Sequence, residues 1–133
     1  MPDSFTPAAR KLIAKKVLAH VASLDADGGP NVSPVWIELD GDELVINTAL
    51  GRAKARNLAS DSRVAVSMVD PDDEDSIITL RGSVVGFTTI GAEEGVDRLA
   101  KKYLGVDSYP NRRVGQVRVS VRIQPDHISR QPE

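Results

Sequence analysis

The sequence predicts a mainly β fold, a small antiparallel barrel with peripheral helices. Three observations point there. Six segments carry strand-type patterning, and turns rich in glycine and aspartate separate several of them. Only three helical patterns intervene, without the regular strand–helix alternation of a doubly wound parallel sheet. Six strands joined mostly by short turns close most naturally on themselves, with the helices left at the margin.

The elements follow in order. Thr6 before Pro7 reads as an N-cap with proline at the first helical position, and Ala9, Leu12, Ile13 and Val17 recur at near-helical spacing, so a first helix is expected near 7–15. Leu18 to Asp25 is a first strand, and Asp27-Gly28-Gly29 supplies residues that tolerate positive φ for the turn behind it. Asn31 to Leu39 reads as a second strand interrupted at Pro34, which has no N–H for a ladder and so marks an edge, a bulge or a bend. Asp40-Gly41-Asp42 then turns the chain into a third strand, Leu44 to Thr48.

From Gly51 to Ser60 good helix formers follow a glycine with few apolar positions, which fits a short exposed helix. Val64 to Val69 is a fourth strand, the acidic run Asp70 to Asp75 a loop, and Ile77 to Phe87 a long fifth strand that Gly82 and Gly86 allow to bend. Thr89 is placed to cap a helix whose Ala92, Val96, Leu99, Ala100 and Tyr103 share one face. Glu93 and Glu94 suit its N-terminal dipole, and Lys101, Lys102 and Gly105 mark its end. Val117, Val119, Val121 and Ile123 alternate strictly with Arg118, Ser120, Arg122 and Gln124, giving a sixth strand with one buried and one wet face. A polar tail runs from His127 to Glu133. No repeat or linker divides the 133 residues, so a single domain over 1–133 is expected, long enough to bury a real core.

Composition narrows the chemistry. Zero cysteines exclude disulfides, thiolate metal sites and a cysteine nucleophile, and are compatible with a reducing cytoplasm, the location expected here. A net charge of −2, with one Trp, two Tyr and two Phe, argues against a general nucleic-acid binder, which needs surplus cations and stacking platforms. Met1 to Pro7 lacks the basic-then-apolar pattern of a secretion signal, and no apolar run approaches the ~20 residues of a membrane span. Neither nucleic acid nor membrane is expected as a partner.

The common catalytic signatures are missing: no GxSxG elbow, HExxH, Walker loop, GxGxxG or EF-hand spacing occurs. His20 in a strand and His127 in the tail read as structural, and no metal site is expected. The acidic run reads as a solvated connector, because it has neither the glycine nor the spacing of a calcium loop. The basic segment differs. Arg52, Lys54, Arg56 and Arg63 face only Asp61, a local charge of +3 in an acidic protein. A solvated helix face would account for it. A phosphate or polycarboxylate site would also, since Gly51 leads into a helix start where free N–H groups and the dipole favour an anion.

Gly51-Arg52-Ala53-Lys54-Ala55-Arg56-Asn57-Leu58, followed by Asp61-Ser62-Arg63-Val64-Ala65 and Asp70-Pro71-Asp72-Asp73, resembles the split-barrel flavin and deazaflavin oxidoreductases related to pyridoxamine 5′-phosphate oxidase. The branch it looks like uses the deazaflavin coenzyme F-420. The likeness extends to Asp27-Gly28-Gly29-Pro30-Asn31-Val32-Ser33-Pro34-Val35-Trp36 and to Gln116-Val117-Arg118-Val119-Ser120-Val121 with Pro125 behind it, so it spans nearly the whole chain.

The resemblance implies a six-stranded split barrel, a homodimer with two cofactor grooves at its interface, and a small-molecule substrate. Carried over by position, Arg52 and Lys54 would hold the cofactor's phosphate and acidic tail, with Asn57 nearby. Asn47, Thr48 and Ala49 would line the approach, and Asn31, Val32, Ser33 and Trp36 would flank the ring. No catalytic residue is assigned, since hydride transfer asks for positioning more than for an acid–base pair. The implied activity is reduction of an electron-poor double bond, such as an enone or a tetrapyrrole, by reduced coenzyme F-420. The alternatives are an FMN-binding oxidoreductase, whose phosphomonoester the same basic helix would clamp, and a non-catalytic deazaflavin or flavin carrier. The sequence lacks the C-terminal segment of a true pyridoxamine 5′-phosphate oxidase, so that specific activity is not expected.

Overall fold

The structure, a computed structural model, describes residues 3–132; Met1 and Pro2 of the N-terminal segment and Glu133 of the tail lie outside it. Three helices and seven strands follow one another as α1 (Pro7–Ala14), β1 (Ala19–Leu24), β2 (Pro30–Val35), β3 (Glu38–Asp40), β4 (Glu43–Ala49), α2 (Ala53–Ser60), β5 (Arg63–Asp70), β6 (Asp73–Thr88), α3 (Ala92–Leu104) and β7 (Arg118–Gln131). The strands form one antiparallel sheet in the order β2-β1-β5-β6-β7-β4-β3.

The two edge strands of that sheet, β2 and β3, are neighbours in sequence. Only Trp36 and Ile37 separate them, and three residue steps from Val35 to Glu38 reach at most ~11 Å. The sheet must therefore curl until its edges stand together at one corner, although no ladder closes the gap. Ile37, fully buried, pins that corner to the core.

This is the split barrel the sequence implies, with seven strands in place of six. The stretch expected as one strand from Asn31 to Leu39 divides at Trp36–Ile37. Pro34 stays inside β2, where an edge position costs it no ladder bond. The acidic run shrinks to a two-residue connection, Pro71-Asp72, with Asp73, Glu74 and Asp75 already in β6. Strand β7 runs on past Gln124 to Gln131 and takes up most of the tail expected from His127 to Glu133, pairing along β6. There Gly82 and Gly86 sit where the register shifts, and a Cβ on Gly82 would stand 2.3 Å from the Gln124 carbonyl oxygen.

Inward-facing Val21, Val66, Met68, Ile78, Leu80, Val119, Val121 and Ile123 fill the barrel, and α1 stoppers it with Leu12 and Ile13. Thr6 caps α1 as expected, its Oγ1 accepting from the Ala9 N–H. Thr89 does not cap α3. Left-handed Gly91 (φ 77°) holds that position, and Gly105 (φ 72°) ends the helix as its place in the sequence predicts. Helix α3 lies over the outer side of β4 and β7, burying Ala92, Val96, Leu99 and Ala100.

Tyr103 and Lys102 tie α3 to the sheet's corner. The Tyr103 hydroxyl donates to the Val17 carbonyl and accepts from the Ile37 N–H, while Lys102 Nζ donates to the carbonyls of Ile13 and Ile37 at 2.7 Å each.

Candidate functional site

A cleft of about 260 Å³ opens where the β2–β3 corner, the start of α2, the end of β4 and the start of β7 converge under the loop that follows α3. Each wall has a local origin. The corner presents Pro34, Val35 and Trp36. Helix α3 supplies Val96 and Leu99, and the loop after it supplies Tyr109 and Asn111. Gly51, at φ 92°, turns the chain so that Arg52 occupies the N-cap position of α2 and Lys54 its first turn. Residue Arg118 opens β7 and Asn47 sits in β4 beside it.

The electrostatics are one-sided. Arg52, Lys54 and Arg118 line the cleft and no carboxylate does. Lys54 Nζ donates to Ser33 Oγ at 3.0 Å, and its pKa is lowered by burial first and by the positive charges of Arg52 and Arg118 after it. Arg118 is only 5% exposed. Its Nε donates to Asn47 Oδ1 at 2.8 Å and its guanidinium lies 5.3 Å from the centre of the Tyr109 ring, so its partners are neutral. Desolvation is the first cause lowering its pKa; Arg52 and Arg112 push the same way, while Tyr109 and Glu93 oppose them. Three cations with no carboxylate among the lining of a half-desolvated cleft favour an anion.

An aromatic wall stands beside the cations. Trp36 stacks on Tyr103 with centroids 5.1 Å apart and planes within 9°, and meets Tyr109 edge-on at 6.1 Å. An anion that also carries a flat ring matches both halves of the cleft.

Of the residues singled out in the sequence, Trp36, Asn47, Arg52 and Lys54 line this cleft, and Ser33 reaches it through Lys54. Val32 stands on β2, exposed. Asn31 is exposed at the first hairpin, its amide on the Gly29 carbonyl. Asn57 is buried, donates to Ser23 Oγ, and borders a separate hollow with Asn31 and Arg56. Thr48 and Ala49 are buried and line none of the cleft; Thr48 pairs with Val119 and keeps an unpartnered hydroxyl.

Sequence reasoning missed Arg118, Tyr109 and Asn111. Alternation puts Arg118 opposite Val119 and hence on a wet face, but α3 covers that face. The signal was α3 itself, an amphipathic helix that has to bury its apolar side on some sheet surface. Tyr109 and Asn111 sit in a loop without periodicity, between Gly105 and Gly115.

A larger, mainly apolar hollow of about 450 Å³ lies on the outer face of β1, β5 and β6 between Ala22, Leu24, Ala65 and Gly82. It gathers no comparable set of unpaired cations, since Arg63 is paired with Asp61 and Asp126 stands among its basic groups. Among the described residues no three His, Asp or Glu side chains are placed to hold a metal ion, and no helix is long and apolar enough to cross a membrane.

The chain is similar to an F-420 reductase structure at 24% identity and a TM-score of 0.79, covering 97% of this chain and 98% of the other. It is also similar to HupZ of Group A Streptococcus, at 22% identity and a TM-score of 0.70 with 96% and 94% covered. The heme storage protein HutZ of Vibrio cholerae aligns at 16% identity and a TM-score of 0.67, again over 96% and 94%. No curated protein sequence matches the chain. These likenesses carry the fold. The family model for pyridoxamine 5′-phosphate oxidase matches residues 5–131, and with that span the chain belongs to the pyridoxamine 5′-phosphate oxidase family.

Proposed function

We propose that the protein is a reductase that uses the deazaflavin coenzyme F-420 and reduces an electron-poor small molecule, an enone or a tetrapyrrole. The observation that carries the reading is the cluster of Arg52, Lys54 and Arg118 beside Trp36, with no acid in the cleft. The residues fit the group. A phosphodiester followed by carboxylates needs several cations in a row, and a buried Arg118 with only neutral partners lacks the negative charge such a tail brings. The F-420 reductase likeness supports the same choice.

In this reading Arg52 and Lys54 bind the phosphate, Arg118 binds an acidic group deeper in the cleft, and Asn47 orients the Arg118 guanidinium. Trp36 and Tyr109 wall the ring. The coenzyme, when reduced and bound, supplies the hydride. The chain supplies alignment and exclusion of water, the contribution expected of a protein around a cofactor that carries the hard chemistry. Asn31, Val32, Thr48, Ala49 and Asn57, which line none of this cleft, carry no role in this reading. The working unit in this proposal is a homodimer, which light scattering on the purified protein tests.

The deciding experiment is titration with coenzyme F-420 and separately with FMN, read by quenching of the single tryptophan, Trp36. Quenching by the deazaflavin at lower concentration supports the proposal, and preference for FMN replaces the cofactor within the same family. Oxidation of the reduced coenzyme with a panel of enones and tetrapyrroles then separates a reductase from a carrier.

A further inference from the structure

The loop from Val106 to Val117 covers the cleft without regular structure of its own, a length that compact domains seldom leave unused. Its last residues are tied beside β7, the Val117 carbonyl accepting from the Leu50 N–H and Gln116 Oε1 from Arg118, but the hydrogen bonding of the stretch before them is concentrated at one point. Among the described residues, every hydrogen bond that joins residues 106–114 to chain outside the loop has Arg112 or Asp97 at one end. Arg112 Nη1 donates to Asp97 Oδ1 at 2.7 Å, Nε donates to Glu93 Oε1 at 3.0 Å, and Nη2 donates to the Glu93 carbonyl at 3.2 Å. The same Asp97 Oδ1 accepts the Tyr109 N–H at 2.9 Å. Within the loop, Arg112 also donates to Ser108 Oγ at 3.0 Å.

One carboxylate oxygen of α3 thus holds both the fastener and the residue that matters. Tyr109 meets Trp36 edge-on and lies under the Arg118 guanidinium, so its ring position is shared with the aromatic wall and with the deepest cation. A single partly solvated ion pair contributes little to global stability, but a forked guanidinium on several acceptors fixes geometry. The loop's valines add little to that hold, since Val106 and Val114 are exposed, and Gly105 and Gly115 beside them have positive φ.

We propose that Arg112 is a positioning residue for the cleft, setting Tyr109 against Trp36 and Arg118 through Asp97 and Glu93, so that the anion-binding wall opens when this one fastening is broken. The inference rests on the cleft being the cofactor site for its consequence in binding, but the geometry it asserts is testable without any cofactor. The fastening grips the N-terminal half of α3 through the partly exposed side chains of Glu93 and Asp97, away from the apolar face that α3 buries, so the expected effect is local opening and not unfolding.

The experiment compares wild type, Arg112→Gln, Arg112→Lys and Asp97→Asn, all without added ligand, by acrylamide quenching of Trp36. Loss of the fastening raises the quenching constant in Arg112→Gln roughly twofold or more, as local opening without global melting does, while the thermal midpoint moves little. Arg112→Lys, which keeps a charge on Asp97, restores most of the protection. Asp97→Asn, which releases both Arg112 and the Tyr109 N–H, exposes Trp36 at least as much, and it decides the matter should Arg112→Gln fail to fold. Unchanged quenching in both Arg112→Gln and Asp97→Asn overturns the proposal. Titration of the same variants with coenzyme F-420 reads the consequence. Failure of the wild type to bind overturns the cofactor reading and leaves the fastening to the quenching data. Wild-type binding that Arg112→Gln weakens and Arg112→Lys recovers supports both.

Discussion

Asn47 and Arg118 stand diagonally across the β4–β7 ladder on the face that α3 covers, and the amide reads both neighbours at once. Its Oδ1 accepts from Arg118 Nε at 2.8 Å while its Nδ2 donates to the Ala92 carbonyl at 2.9 Å. The first turn of α3 and the buried guanidinium are thereby set by one side chain. A cation fixed this way loses little further ordering entropy when an anion arrives.

Replacing Arg118 by Met separates binding from stability. Removing the buried charge relieves its desolvation but leaves Asn47 Oδ1 without its donor, so stability changes by no more than about 1 kcal/mol in either direction, which chemical denaturation checks. Binding of the proposed coenzyme weakens about tenfold or more, the worth of one charge-assisted contact, as measured by calorimetry.

Lys54 gives binding a pH dependence with a definite sign. Burial and the charges of Arg52 and Arg118 lower its pKa below 10.5 in the free protein, and a bound anion raises it again. Binding therefore takes up a proton in the window between the lowered value and that of the complex. Affinity is level below that window and falls as pH rises through it. Lys54→Ala weakens binding throughout, removes the falling limb, and leaves the fold intact because the residue sits on the first turn of a short surface helix. Affinity measured from neutral pH to about pH 10 distinguishes these outcomes.

Lys102 acts on the fold instead. Burial holds its pKa down to about 8, with Glu38 pulling the other way. Between about 8 and 10.5 the unfolded chain binds a proton at this site that the native protein does not, so this group's contribution to stability rises with pH across that window. The neutral amine still has two N–H groups for the carbonyls of Ile13 and Ile37. Denaturation of wild type and Lys102→Met at pH values below and within the window shows the difference growing in favour of wild type as pH rises.

Gly82→Ala tests the β6–β7 crossing. A Cβ there meets the Gln124 carbonyl oxygen at 2.3 Å and the Pro125 Cα at 3.1 Å, both backbone atoms of the opposing strand. A loss of about 3 kcal/mol is expected from the forced separation, by equilibrium denaturation.

Much of this architecture is legible in the amino-acid sequence. Pro7 and Thr6 set α1, glycines mark the bends of β6, and alternation from Val117 to Ile123 announces β7 because a two-sided strand has no other way to sort its side chains. What escapes such reading is set by contacts distant in sequence. The tail from His127 looks polar, yet it is a strand because β6 offers it a partner along Ile77 to Arg81. Trp36–Ile37 breaks the second strand because the sheet's edges have to meet. The basic segment shows Arg52 and Lys54, but Arg118 completes the charge cluster only through β4 and α3.

Strand β7 is the last of these elements to leave the ribosome, and it stands between β6 and β4 in the finished sheet. Until it emerges the nascent chain holds two unjoined pieces, a β2-β1-β5-β6 sheet and the β3–β4 hairpin, each with an open edge of the kind that recruits other chains. Synthesis therefore carries its greatest exposure to aggregation just before β7 appears, and a chain cut short within β7 loses the connection between halves rather than a dispensable end.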